Sequence, residues 1–201
     1  MVDRKGGQIN MSTRGLYGFR KNGQDKLTYN HWDSYPDCLG KTIVEFCKQT
    51  SIAEMNKIFD QIILVNEGSK PTKQQIVECI EYYDDSVGNQ NIKDWYCLLR
   101  DAQGNPNVYK QGLKYMIDNK NFIKESLFCE YAYIINLDEN ILEFYVGFQD
   151  EFDINNRYGT EQTDGYYPCK MVSYYPIEPE YMEKYSVQDY VDDMYKQSEE
   201  V

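Results

Sequence analysis

The stretch MSTRGLYGFRKNGQDKLTYNHWDSYPDCLG, residues 11–40, decides the fold. Thr13 to Arg20 carries Leu16, Tyr17 and Phe19 among small residues, the composition of a strand. Lys21-Asn22-Gly23-Gln24 follows, and Asn-Gly between apolar runs is the strongest short hairpin signal. Asp25 to His31 then returns as a second strand, and Trp32 to Gly40 is a loop punctuated by Pro36 and Gly40. The chain therefore opens on a β-hairpin, and whatever follows must cover at least one of its faces.

Helical periodicity takes over beyond the loop. Ile43, Val44, Phe46 and Cys47 precede Ile52, Met55, Ile58, Phe59 and Ile62 at helix-like spacing. Thr72 and Gln75 stand at capping-box spacing, with Ile76, Cys79, Ile80 and Tyr83 as the stripe behind them. Residues 84–89 break the pattern, Ile92 to Arg100 reads as another helix, and Val108 to Ile117 as a further short one. A second hairpin is expected from Cys129–Leu137 and Ile141–Phe148 around the turn Asp138-Glu139-Asn140. Gln149 to Tyr167 is a polar loop, Cys169 to Tyr175 a strand, and Pro179 to Lys196 helical or loosely ordered. This order predicts an α+β fold, with an antiparallel sheet formed by two hairpins and packed with helices. One domain spans residues 12–176, and residues 177–201 form an acidic C-terminal helix or tail.

The first ten residues are polar and contain Lys5-Gly6-Gly7. Lys-Gly-Gly can be encoded by AAA GGA GGN, which contains a bacterial ribosome-binding sequence a short way upstream of the Met11 codon. Residues 1–11 are accordingly expected to be a translated leader or a disordered extension. On the first reading, methionine removal would leave Ser12 at the N-terminus.

Bulk composition excludes several classes. No apolar run approaches the roughly 18 residues needed to cross a bilayer, and the polar start is not a secretory signal. The expected location is the cytoplasm, that of the host cell if the chain is phage-encoded. The six cysteines contain no C-x-x-C pair, and Cys47, Cys79, Cys97 and Cys129 sit in apolar or aromatic segments, as core thiols do. The single histidine excludes His-rich zinc sites and any triad not built on His31. There is no phosphate-binding glycine motif, and the acidic run from Asp150 lacks the glycine of a calcium loop, so neither metal nor cofactor is expected.

The net charge of −12 opposes direct nucleic-acid binding, which needs lysine and arginine to neutralise phosphates. It suits a basic partner instead, a host protein or nucleoprotein complex, because opposite fields speed encounter. From Glu178 to Val201 there are eight acids against two lysines, so Asp189, Asp192 and Asp193 are candidate partner-binding residues, or else one solvated face. Twenty tyrosines supply rigid contact area with polar tips, or reflect an AT-rich genome.

The densest polar-aromatic constellation is Tyr29-Asn30-His31-Trp32-Asp33-Ser34-Tyr35-Pro36, at the end of a strand, where function concentrates. Asn30 and Asp33 can satisfy the turn while Trp32 and Tyr35 pack over the sheet edge. Alternatively Tyr29, His31, Trp32 and Tyr35 bind a ligand or partner, and Asn30 and Asp33 face Ser12 across the hairpin. The two segments together, Ser12-Thr13-Arg14-Gly15-Leu16-Tyr17-Gly18-Phe19 and Tyr29 to Pro36, resemble a group of small bacterial and phage proteins. More loosely, they are similar to the start of N-terminal-nucleophile hydrolases of the bile-salt-hydrolase and penicillin-acylase branch. That resemblance implies a related fold, with Ser12 as nucleophile, its own α-amine as base, Asp33 orienting it and Asn30 helping an oxyanion hole. An amidohydrolase of this kind requires Ser12 to be the first residue. The phage-like resemblance, the acidity and the tyrosines lead to the other expectation: an anti-defence protein, similar in type to the anti-CRISPR inhibitors. It would inhibit a host defence or nucleic-acid-handling system by occupying a basic surface.

Overall fold

A computed structural model gives the fold and describes residues 13–199. Ser12 and the segment 1–11 lie outside the described residues.

Strands β1 (Gly15–Lys21) and β2 (Gln24–Asn30) form the expected antiparallel hairpin, in a register running from Gly15 opposite Asn30 to Lys21 opposite Gln24. Asn22 and Gly23 take φ of 53° and 70°, the two positive values a tight twisted hairpin needs. The Asp138 carboxylate accepts both turn amides, Asn22 N at 2.6 Å and Gly23 N at 2.9 Å. Those bonds hold its carboxyl below the usual range. One hairpin tip is thereby tied to the other.

Helices α1 (Lys41–Gln49) and α2 (Ile52–Gln61) follow, divided by Ser51, whose hydroxyl caps α2 by accepting Glu54 N at 3.2 Å. A short strand β3 (Ile63–Val65) leads to α3 (Lys73–Cys79), which has the predicted capping box between Thr72 and Gln75 in both directions. The expected helix over 92–100 shrinks to α4 (Trp95–Leu98), started by Asp94 accepting Tyr96 N and followed by a 3₁₀ turn at Arg100–Ala102. The expected helix over 108–117 is likewise divided. Only α5 (Asn107–Lys110) is helical, and Tyr115–Ile117 is strand β4, paired in parallel with β3. The second departure has a clear cause: an apolar run this short fits strand or helix, and a tertiary partner chooses.

Strands β5 (Tyr131–Asn136) and β6 (Ile141–Val146) make the second hairpin, and β7 (Lys170–Pro176) continues the sheet. Helices α6 (Pro179–Met182) and α7 (Val187–Glu199) complete the chain. The five-stranded sheet has the order β2-β1-β5-β6-β7. The fold is α+β and the two hairpins share one sheet, as expected. The sheet is not purely antiparallel, however, because β1 and β5 pair in parallel. Turn chemistry sets pairing inside each hairpin but says nothing about how the hairpins abut. Neither Gly15 nor Gly18 carries a sequence motif, yet Gly15 makes that junction tight and Gly18 makes the first hairpin tight. A Cβ at Gly15 would meet Tyr131 O at 2.4 Å, and one at Gly18 would meet Lys26 O at 2.1 Å.

Alternation along the strands sorts the side chains. Tyr17, Phe19, Tyr133, Ile135, Leu142 and Phe144 face a core closed by Ile43, Val44, Phe46, Met55, Ile58 and Phe59 of α1 and α2. Full burial of each large apolar side chain stabilises by about 1.5–3 kcal/mol. Lys26, on that same side of β2, donates to Phe59 O and Ile62 O at 2.7 Å each, satisfying carbonyls at the end of α2. Burial lowers its pKa. On the opposite face Leu16, Leu27, Ala132, Ile134 and Tyr145 are covered not by α-helices but by Ile123 of a 3₁₀ turn at Lys120–Lys124 and by Cys129 and Cys169. Cys38 is exposed and the other five cysteines are buried free thiols. Among the described residues, no helix is long and apolar enough to cross a membrane.

Candidate functional site

The turn leaving β2 is built around Asn30, which is buried. Its Nδ2 donates to Trp32 O and to Ser34 Oγ, the latter at 2.8 Å. Asp33 adopts φ of 50°, a left-handed conformation that Asp tolerates in turns, and its carbonyl accepts Leu39 N at 3.1 Å. Ser34 is fully buried, donates its amide to Thr13 O at 3.1 Å, and accepts the Tyr133 hydroxyl on its carbonyl at 3.0 Å. The loop is thereby fastened to the chain entering β1. The start of one strand and the end of the next meet as the hairpin requires. The Asn30 amide, however, is committed to holding the turn, while Asp33 is solvent-exposed.

A cleft of about 460 Å³ opens beside this turn. Asn30, Trp32 and Asp33 form one wall, and Asp84, Arg100 and Asp101 the other. Arg100 is only 8% exposed, and its Nη1 donates to Gln103 Oε1 at 2.5 Å. Its guanidinium lies 5.8 Å from the ring centres of both Trp32 and Tyr96, within cation–π range. The same Gln103 oxygen accepts His31 N at 3.3 Å, so one side chain joins the guanidinium to the loop.

His31 stands edge-on to Trp32 with ring centres 4.4 Å apart, and its Nδ1 pairs with the Tyr29 hydroxyl at 2.8 Å. Burial, and then the positive charges of Arg100 and Arg14, lower its pKa, so at neutral pH it is an uncharged imidazole. Burial pushes the Tyr29 phenol up to about 12, so it stays protonated. The loop thus presents a neutral imidazole, aromatic rings and the exposed Asp33 beside a buried guanidinium. Trp32 is half-exposed at the rim, and Tyr35 lies 6.1 Å from Tyr131. Arg100, Gln103 and Tyr96 were not singled out from the sequence. They lie some seventy positions beyond the loop, in what reads as the end of a helix.

The three aspartates of α7 occupy a different place. Asp189 caps the helix, accepting Ser186 N at 2.7 Å, and those bonds lower its pKa. Asp192 accepts from Gln188 at 2.7 Å, and Asp193 accepts the Tyr175 hydroxyl at 2.8 Å. Asp189 and Asp193 border a cleft of about 480 Å³ otherwise walled by Tyr175, Tyr181, Tyr185 and Tyr190. The loop and α7 nevertheless touch, because Tyr195 donates to Asp37 Oδ1 at 2.7 Å. The residues singled out for binding therefore fall into two groups joined by one helix. No family model matches the chain, and no curated protein or solved structure is similar to it.

Proposed function

We propose that the protein is a binding protein that occupies a basic surface of a partner. It acts as an inhibitor of a host defence or nucleic-acid-handling assembly, of the kind mobile elements carry. The observation that carries this reading is α7. Tyr190, Val191 and Met194 anchor the helix in the core, so its acids are displayed on a rigid element rather than a loose tail. Asp189, Asp192 and Asp193 take hydrogen bonds from neutral groups and have no ion-pair partner among the described residues. A preorganised acidic face of this sort speeds encounter with a basic surface, and its attraction is screened by salt. The test is capture from a bacterial extract by tagged protein. A basic protein should be retained at low salt, released as NaCl rises from about 50 to 300 mM, and lost with the double variant D192N/D193N. Capture that survives both changes, or that brings down no basic protein, refutes the reading.

A second reading keeps Ser12 as the nucleophile of an amidohydrolase. It is supported by the Ser34 N to Thr13 O bond, which draws the chain next to Ser12 towards the loop bearing Asn30 and Asp33. Its test is a chain starting at Ser12, assayed for amide hydrolysis beside Ser12→Ala.

A further inference from the structure

We propose that the cleft between α7 and the end of β7 is a receptor for the alkylammonium group of a lysine side chain presented by the basic partner. The inference rests on the binding reading and names the contact it would use.

Three tyrosine rings form the walls. Tyr175 and Tyr190 have ring centres 5.4 Å apart at 84°, and Tyr185 and Tyr190 are 6.0 Å apart at 85°. Two rings therefore stand perpendicular to a third. These edge-to-face rings all border one cleft, which they wall as a box. Tyr181 completes the lining. The face of each ring carries the negative lobe of its quadrupole, so a cation within such walls is attracted by several rings together.

The rest of the box has the same polarity. Asp189 and Asp193, one turn apart on α7, add carboxylates, and no lysine or arginine lines the cleft. Each carboxylate has one oxygen engaged in an internal bond, Asp193 Oδ2 with Tyr175 and Asp189 Oδ2 with Ser186, which leaves the other oxygen of each for a ligand. Tyr175 is buried and its ring position is fixed by that bond, whereas Tyr181 and Tyr185 are 47% and 48% exposed and form the rim. Two lysines of the chain itself already lie against two of these rings. Lys48 Nζ lies 5.7 Å from the Tyr190 centre and is held by Met182 O and Tyr185 O, and Lys184 Nζ lies 5.2 Å from Tyr185. Both lie outside the cleft. A volume of about 480 Å³ admits a long side chain with its methylenes against the rings.

A lysine fits this chemistry better than a neutral apolar residue. The rings accept the stem, and the aspartates accept the ammonium protons. The site gives a partner with a patterned basic surface a fixed point of register, which diffuse charge attraction does not supply.

The experiment titrates the full chain, with tyrosine rings isotopically labelled for NMR, against three probes. These are Nα-acetyl-lysine methylamide, its Nε-trimethyl form, and the norleucine analogue, which has the stem without the charge. Weak but saturable shifts of the Tyr181, Tyr185 and Tyr190 ring signals are expected with both cationic probes and not with norleucine. Tyr185→Leu, at a half-exposed position that should leave folding intact, is expected to weaken binding about three- to tenfold. Asp193→Asn, which can still accept the Tyr175 hydroxyl, should weaken it too. Equal binding of norleucine, shifts spread over all exposed tyrosines, or an affinity untouched by both variants overturns the proposal. The two failures are separable. A wild-type chain that binds the probes but captures no basic protein refutes only the docking face. A wild-type chain that captures a basic protein in a salt-sensitive way but ignores the probes refutes only the box.

Discussion

Arg157→Met provides the most direct test of how the second face of the sheet is held. The segment between β6 and β7 contains only isolated bridges, Gln149 to Tyr167 and Thr163 to Tyr166. It is tied to the sheet by Arg157, whose Nη1 donates to Glu143 Oε1 at 2.7 Å and whose Nη2 reaches Oε2. Glu143 is 1% exposed, in the body of β6. It also accepts Asn136 Nδ2 at 2.7 Å and the Tyr145 hydroxyl at 3.1 Å. Methionine keeps most of the arginine stem but removes both charge-assisted bonds. Glu143 would then be a buried carboxylate with two neutral donors. Breaking one side of a buried pair costs about 3–5 kcal/mol. The Arg157 side chain is 27% exposed, so water can replace part of what it gave, and the expected loss is the lower end, about 3 kcal/mol. The exposed pair Lys21–Asp60 makes the contrast. With Asp60 61% exposed, Lys21→Met should cost about 1 kcal/mol or less. Urea unfolding followed by tyrosine and tryptophan fluorescence reads both values. The cycle of Arg157→Met with Glu143→Gln isolates the pair, since glutamine removes the charge that arginine must neutralise. The double variant should lose clearly less than the sum of the singles. An Arg157→Met cost below about 1 kcal/mol, or strict additivity, would show that the loop is not held by this ion pair.

Gly18→Ala should lower the melting temperature by about 6–12 °C, because its Cβ would lie 2.1 Å from Lys26 O in the middle of the hairpin, a clash put at about 3 kcal/mol. Asp138→Asn should cost about 1 kcal/mol or less at neutral pH, by weakening its bonds to the Asn22 and Gly23 amides. The folded-state pKa of Asp138 is depressed, so its contribution is present above the ordinary aspartate range and lost as pH falls through the folded value; the gap to wild type should close in acid, as urea midpoints against pH would show. His31 has a folded-state pKa below its ordinary value, so below pH of about 6.5 the unfolded chain binds the proton first. Wild-type stability should therefore fall between neutral pH and the folded pKa, and His31→Gln should flatten that part of the profile.

The legible parts of this fold were those written within a few residues of one another. Asn22-Gly23 specifies its turn because both positions accept positive φ, and Asn140 does the same in the second hairpin. Thr72 and Gln75 satisfy each other's backbone amides whatever lies beyond. The core residues of α1 and α2 are visible because the 3.6-residue period and the buried stripe coincide. The same reasoning fails at Tyr115–Ile117, whose strand state depends on Ile63–Val65 fifty positions away. At the loop, local chemistry marked Asn30 as a turn residue, but Trp32, read as packing over the sheet edge, is half-exposed, and Arg100 and Gln103 could not be found beside it.

The sequence by itself determined the two hairpins, the capped helix start at Thr72, the acidity of the C-terminal segment and the α+β class. Each follows from composition, backbone preference, side-chain capping or hydrophobic period over short spans. Only the tertiary structure decided that β1 runs parallel to β5, that Arg100 lies near Trp32, and that Tyr190 meets Tyr175 and Tyr185 edge-to-face. Those pairings join segments whose local chemistry is satisfied in many arrangements. The choice among them is made by which faces can be buried together without a clash or an unpaired polar group.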